Sequence, residues 1–390
     1  MSKIERAYKR LCTFSVLKEL LEKDLIKHFL EFAKSEKQDE RLIKYGALVN
    51  EIYEGGGNLA DSIRKMLFEN ENVYVRAISK KETINKNIEN AILNELDTLS
   101  ELAMLEPKDF FDLKDEDLQI PMYDTSKVDF KREYIERANN IEKHGYGIFA
   151  SYCMFSVNEN GEILPIESAD KISLDKFIGY KAERQKVIDN TVAFLDGRPA
   201  ANILLYGDAG TGKSSSVKAV ANHFFNMGLR LIEIRKNQLL LLPKVMGEIS
   251  KNPLKFIIFI DDLSFNKNDD NFSMLKATLE GSASVKSKNA VIYATSNRRH
   301  IVKETFGERE GNDIHRNDTI QETLSLSERF GLTVLFAKPE KKLYLDIIHE
   351  LATRNGIEIT GELDTKAETF ALNRGYRSAR CAEQFIDSLL

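Results

Sequence analysis

The sequence predicts an α/β fold: a mostly parallel five-stranded sheet with helices on both faces, a helical C-terminal segment, and a mainly helical N-terminal domain that carries a β-hairpin. Three observations carry this expectation. From about Lys171 onward, apolar runs of strand length alternate with helical patterns. Residues 207–214 read Gly-Asp-Ala-Gly-Thr-Gly-Lys-Ser, a glycine-rich loop between an apolar run and a helical one. Residues 1 to about 120 are rich in Lys, Glu, Leu and Ile and keep helical spacing.

Each element follows in order. Leu17, Leu20, Leu21 and Leu25, then Ile88, Ala91, Ile92, Leu96 and Leu99, recur as apolar faces of helices. Asp115–Ser126, with Pro121, reads as a loop, and a short helix is expected after it. Gly147–Val157 alternates as a strand does, Asn160-Gly161 supplies a turn with φ > 0, and Glu162–Ile166 returns, giving a hairpin. The five sheet strands are Asn202–Tyr206, Leu229–Ile234, Phe256–Ile260, Ala290–Ala294 and Thr333–Phe336, with a helix over Ser215–Phe225. After Pro339 the chain is helical, with Leu343, Ile347 and Leu351 on one face and a stop at Asn355-Gly356. A last helix turns Ala382, Phe385, Ile386 and Leu389 inward. The expected domains are therefore 1–170, helical with the hairpin and suited to partner binding, 171–337, the nucleotide-binding core, and 338–390, a helical lid.

Composition narrows the functional classes. With 42% hydrophobic and 30% charged residues in 390, the chain has ordinary globular composition and length for more than one core. A net charge of −5 gives no global attraction to nucleic acid or an anionic membrane. The N-terminus lacks the apolar core of a leader, and no apolar run approaches the ~18 residues of a membrane span, so a cytoplasmic protein is expected. Cys12, Cys153 and Cys381 are far apart and odd in number, which argues for reduced, partly buried thiols and against zinc or a disulfide framework.

The chemistry lies in five places. In the loop, Gly207, Asp208, Ala209, Gly210, Thr211, Gly212, Lys213, Ser214 and Ser215 have the pattern that curls backbone N–H groups around a polyphosphate, ATP above all. Lys213 is suited to the β/γ-phosphates and Ser214 to Mg²⁺. Lys255–Asp262 is a buried strand ending in two carboxylates: Asp261 is placed to complete the Mg²⁺ shell and Asp262 to polarise the attacking water. The polar end of Val291–His300 offers Asn297, with Thr295 and Ser296 as rivals, to position that water; Arg298 and Arg299 fit either a phosphate or a solvated surface. Arg329, just before the fifth strand, is placed to reach a neighbouring subunit's nucleotide as an arginine finger. Arg380, with Arg377 as its rival, opens the last helix and can reach the γ-phosphate from the lid.

In this order, GDAGTGKS, FIIFIDD, ATSN, SERFG and SARCA resemble an AAA+ ATPase of the P-loop NTPase class. YGDAGTGKSSSVKAV, FIDDLSF, YATSNRRH and LSLSERFGL are similar to the bacterial family catalogued as domain of unknown function 815, over roughly residues 130–390. The resemblance implies a five-stranded core with a helical lid and nucleotide-dependent assembly into a ring or open ring. It also implies that Phe177–Tyr180 lies against adenine, with Ile178 and Gly179 as contacts. Asp262 departs from the Glu usual at its position in AAA+ motors.

Three functions compete: an ATPase that remodels or loads a protein client, a scaffold whose assembly is timed by slow hydrolysis, and a nucleic-acid-associated loader. Arg235–Glu248 lacks the aromatic–hydrophobic–Gly loop of threading motors, which argues against processive unfolding. The acidic balance and the absence of a base-reading motif argue against nucleic acid.

Overall fold

The structure is a computed structural model that describes residues 1–111, 119–169, 172–264, 270–280, 288–297 and 329–390. It divides into two compact units, Met1–Ser151 and Tyr152–Leu390.

The first unit is helical: α1 (Lys3–Leu11), α2 (Asp24–Lys34), α3 (Gln38–Glu54), α4 (Leu59–Glu69), α5 (Val73–Ser79), α6 (Lys86–Ala103), α7 (Phe130–Asn139) and α8 (Ile141–His144). Side-chain caps start several of them, Ser2 for α1, Asn58 for α4, Asn85 for α6 and Asp129 for α7, each giving an orphan backbone N–H an acceptor. The core joins their apolar faces, with Phe32, Tyr45 and Phe110 ring centroids 5.1 to 6.4 Å apart. The leucines near residue 20 belong to two elements and not to one helix, because Lys18–Glu22 is a 3₁₀ turn and α2 begins only at Asp24. Glu95, buried on α6, accepts the backbone N–H groups of Ser15, Val16 and Leu17, which holds the chain in that break.

In the second unit the strands are β1 (Met154–Val157), β2 (Ile163–Pro165), β3 (Ile203–Gly207), β4 (Leu229–Glu233), β5 (Lys255–Ile260), β6 (Ala290–Ser296) and β7 (Leu332–Phe336). They form one seven-stranded sheet in the order β2-β1-β4-β5-β6-β3-β7. The five strands expected from the sequence are adjacent in it and parallel, from β4 to the edge strand β7. The hairpin extends it: β1 lies parallel to β4, Met154 opposite Leu231, and β2 is antiparallel to β1. The structural division therefore falls at Ser151, not at residue 170, because Met154, Phe155 and Val157 find their burial on the sheet. The alternating pattern that began at Gly147 also shortens, since Gly147–Ala150 is a 3₁₀ turn of the first unit.

Around the sheet stand α9 (Lys181–Leu195), α10 (Lys213–His223), α11 (Leu242–Ile249) and α12 (Asp270–Glu280). Val187, Phe194, Val217 and Val220 from α9 and α10 share a core with Ile203, Leu205, Ile257, Phe259, Tyr293 and Val334. The lid is α13 (Lys341–Arg354), α14 (Gly361–Arg374) and α15 (Ala379–Asp387) around Tyr344, Ile347, Ile348, Ala367, Phe385 and Ile386. Sequence reading does not anticipate α14, whose buried face is mostly Leu363, Ala367 and Ala371. Leu389, expected inward, is 42% exposed because α15 has ended by then. Among the described residues no helix is long and apolar enough to cross a membrane. Cys381 is buried and Cys153 half-buried, but Cys12 is exposed.

The edge position of the hairpin has a consequence for truncation. A 152–390 fragment is expected to be soluble and to bind ATP, whereas a 171–390 fragment loses β1 and β2 and exposes the whole pairing edge of the apolar strand β4. Size-exclusion profiles and ATP titration of the two fragments check this; equal solubility and binding would mean the hairpin is dispensable.

Candidate functional site

The loop between β3 and α10 has the backbone its glycines allow. Gly207, Gly210 and Gly212 take φ of 135°, 75° and 87°, a region that disfavours residues with a Cβ. At Gly207 the chain also passes close to β7: a Cβ there would stand 2.1 Å from the Phe336 carbonyl oxygen. The first turn of α10 has N–H groups without intrahelical acceptors, and they face the loop where an anion is favoured.

Lys213, 6% exposed, donates from Nζ to the carbonyls of Gly207 (2.9 Å) and Asp208 (2.7 Å) and to Asn297 Oδ1 (3.0 Å). Burial pushes its ammonium below the ordinary lysine value, against the opposing pull of Asp208, Asp261 and Asp262. Ser214 Oγ donates to Asp261 Oδ1 at 2.6 Å. Thr295 also donates to Asp261, and its hydroxyl accepts the Asp262 N–H at 2.9 Å. Asp262 itself sits at φ 50°, a left-handed backbone unusual for a non-glycine residue. Asn297 Nδ2 donates to its carboxylate at 2.8 Å. Asn297 therefore touches both Lys213 and Asp262, while Thr295 orders Asp261 and Ser296 is buried.

These groups line a cavity of about 420 Å³ together with Ala209, Gly210, Thr211, Gly212, Ser215, Lys176, Phe177, Ile178 and Arg184 from before α9 and within it, and Ile347, Leu351, Ala379, Arg380 and Glu383 from the lid. Of the segment Phe177–Tyr180, Phe177 and Ile178 line the cavity. Gly179 (φ 71°) packs so closely on the lid that a Cβ would stand 2.8 Å from Leu343 Cδ1. Arg184, which sequence reading does not single out, stacks its guanidinium 4.8 Å from the Phe177 ring centroid and donates to the Gly179 carbonyl. The signal was an arginine on a helix face that is otherwise buried, Val187, Thr191 and Phe194. On the lid, Arg377 is held by Glu368 through bonds of 3.0 and 2.7 Å, and the cavity is lined by Arg380 instead.

Arg329 does not line this cavity. It precedes β7, which runs parallel to β3 with Phe336 opposite Gly207, so it stands at the far end of the strands from the glycine loop. Arg298, Arg299 and Leu324–Glu328 lie outside the described residues.

The oxygen donors fit Mg²⁺. One hydroxyl and one carboxylate at hydrogen-bond distance match a hard cation that takes its remaining ligands from substrate phosphates and water.

A family model described as "Protein of unknown function (DUF815)" matches residues 150–390, more than half of the chain. The chain belongs to this family. The matched span coincides closely with the second unit, Tyr152–Leu390. No curated protein matches the chain. Among solved structures it is similar to a RuvB mutant of Thermotoga maritima, at 17% identity and TM-score 0.37, covering 55% of this chain and 63% of that one. It is also similar to AMPPCP-bound DnaA from Aquifex aeolicus, at 16% identity and TM-score 0.40, covering 56% and 64%. The DUF815 chain spans less than two thirds of either. Its own geometry carries the fold assignment: β4-β5-β6-β3-β7 order, a glycine loop after β3, paired acids after β5, a polar end on β6 and a three-helix lid make an α/β P-loop fold of AAA+ type.

Proposed function

We propose that this chain binds ATP with Mg²⁺ and hydrolyses it to ADP and phosphate, as a nucleotide-dependent homo-oligomer that remodels or loads a protein client. The observation that carries the reading is the convergence of Lys213, Ser214, Asp261, Asp262 and Asn297 at one end of the glycine loop, joined by direct hydrogen bonds. In this reading the amides of Gly207–Ser215 and the Lys213 ammonium cradle the phosphates, and Ile178 and Gly179 contact adenine. Ser214 and Asp261 hold Mg²⁺, which neutralises charge on the transferring phosphoryl group. Asp262 orients and deprotonates the attacking water, and Asn297 fixes the carboxylate that does so. Arg380 reaches the γ-phosphate from the lid of the same subunit and Arg329 from a neighbour. Met1–Ser151, which contains no nucleotide motif, is assigned to the client.

Asp262→Asn is expected to keep Mg·ATP affinity and slow turnover by at least ~10², the usual size of a general-base contribution. Asp261→Asn is expected to weaken Mg²⁺ affinity instead, so that turnover needs more Mg²⁺. Steady-state phosphate release at varied Mg²⁺ separates them; if Asp262→Asn changes Mg²⁺ affinity and Asp261→Asn changes nothing, the two roles are reversed. The scaffold reading shares the whole site and differs in rate alone. DNA-stimulated, steeply salt-dependent turnover would favour the nucleic-acid loader.

A further inference from the structure

The segment Ala337–Glu340 joins β7 to α13, so it is where the lid hangs from the sheet. The peptide between its first two residues, Ala337 and Lys338, is gripped on both sides. Tyr180 donates its hydroxyl to the Ala337 carbonyl at 2.7 Å, and the Lys338 N–H donates to Asp208 Oδ2 at 3.0 Å. The two grips come from different segments beside the cavity: Tyr180 stands two residues after Ile178, and Asp208 directly precedes Ala209, both Ile178 and Ala209 being lining residues. Tyr180 is itself fixed, with φ 48° and its ring 5.4 Å from that of Phe336.

Asp208 is bonded on two sides. Its carbonyl accepts Lys213 Nζ at 2.7 Å and Thr211 Oγ1 at 2.9 Å, while its carboxylate accepts the Lys338 N–H. Phosphate oxygens compete for the same Lys213 ammonium, so an anion in the loop changes the hydrogen bonding of the Asp208 carbonyl, on the residue from which the carboxylate extends. A second contact runs beside it. The Arg380 N–H donates to the Gly210 carbonyl at 3.3 Å, and a Cβ on Gly210 would stand 3.0 Å from Ser378 Oγ and 3.3 Å from Arg380 Cβ. The lid thus touches the glycine loop at its entry and again at the start of α15.

Resting on the ATP-binding reading above, we propose that Asp208 is a positioning residue that couples phosphate in the glycine loop to the lid through the Lys338 N–H. Asp208 is exposed, so substitution removes the link without disturbing a core. The carboxylate also favours the charged form of Lys213, a role that Asp208→Ala and Asp208→Asn both remove, whereas only asparagine keeps an acceptor for the Lys338 N–H.

The test uses the full chain as wild type, Asp208→Ala and Asp208→Asn. Mg·ATP affinity is measured by calorimetry, and amide hydrogen exchange is followed in the peptide spanning Lys338 with and without saturating Mg·ATP. In the wild type, exchange there is expected to change on ATP addition. Asp208→Ala is expected to exchange about fivefold faster without nucleotide, the size of one net hydrogen bond, and to lose the response at Mg·ATP concentrations that saturate the variant itself. Asp208→Asn keeps an acceptor oxygen and is expected to restore both. An unchanged ATP response in Asp208→Ala overturns the coupling while leaving the ATP-binding reading standing. Loss of ATP affinity confined to the Asp208 variants also overturns it, by making Asp208 a binding residue, and failure of the wild type to bind ATP removes the reading beneath it.

Discussion

Lys213→Ala is expected to abolish measurable ATP binding and to leave the fold intact. The side chain is 6% exposed, but it is not part of an apolar cluster: its ammonium ends on two loop carbonyls and Asn297 Oδ1, all at the cavity. Truncation removes the one cation among the loop residues and leaves acceptors that water can satisfy. Burial already holds this ammonium below the ordinary lysine value, so polyphosphate, by supplying negative charge, raises its pKa again. The group is therefore more protonated with ligand than without, and ATP affinity falls as pH rises through the lowered pKa of Lys213. Calorimetry across alkaline pH, beside a thermal melt of the variant, checks both statements. Wild-type ATP affinity in a folded Lys213→Ala protein would sink the ATP-binding reading.

Much of the candidate site was legible because its motifs are local. Six glycine-loop residues and the lysine and serine that follow are adjacent in sequence, and their backbone needs, positive φ at Gly207, Gly210 and Gly212, are written in residue type. Asp261 and Asp262 were legible for the same reason, as a polar end to an unbroken apolar strand. What could not be read was long-range. The hairpin reads as a hairpin, but nothing between residues 150 and 166 says that Met154 will pair beside Leu231. Nor does the sequence near Asp208 point to Lys338, or that near Arg184 to the stacking on Phe177. Arg377 and Arg380 are equivalent candidates in sequence; they separate only because Glu368, one helix earlier, takes Arg377. α14 escaped notice because alanine packing against a neighbouring helix leaves a weak apolar period.

Arg329→Ala is expected to bind ATP normally and to hydrolyse it more slowly by on the order of 10³–10⁵, the contribution of an arginine finger in phosphoryl transfer. Geometry makes the test one of assembly. β7 separates Arg329 from the loop end of the sheet, and its five residues alone span roughly 16 Å, further than an arginine side chain extends. Arg329 therefore has no route to the phosphates of its own subunit, and any catalytic role requires a second copy. Mixing Arg329→Ala with Lys213→Ala then provides a direct complementation. The first has an intact pocket, the second an intact arginine, and at an interface between them the pocket faces the arginine it lacks. The mixture is expected to recover activity that neither protein has alone, and wild-type specific activity should rise with concentration around the assembly threshold. If the mixture stays inactive and specific activity is flat where the wild type is shown to be monomeric, Arg329 is a structural residue and the oligomeric ATPase reading loses its catalytic argument.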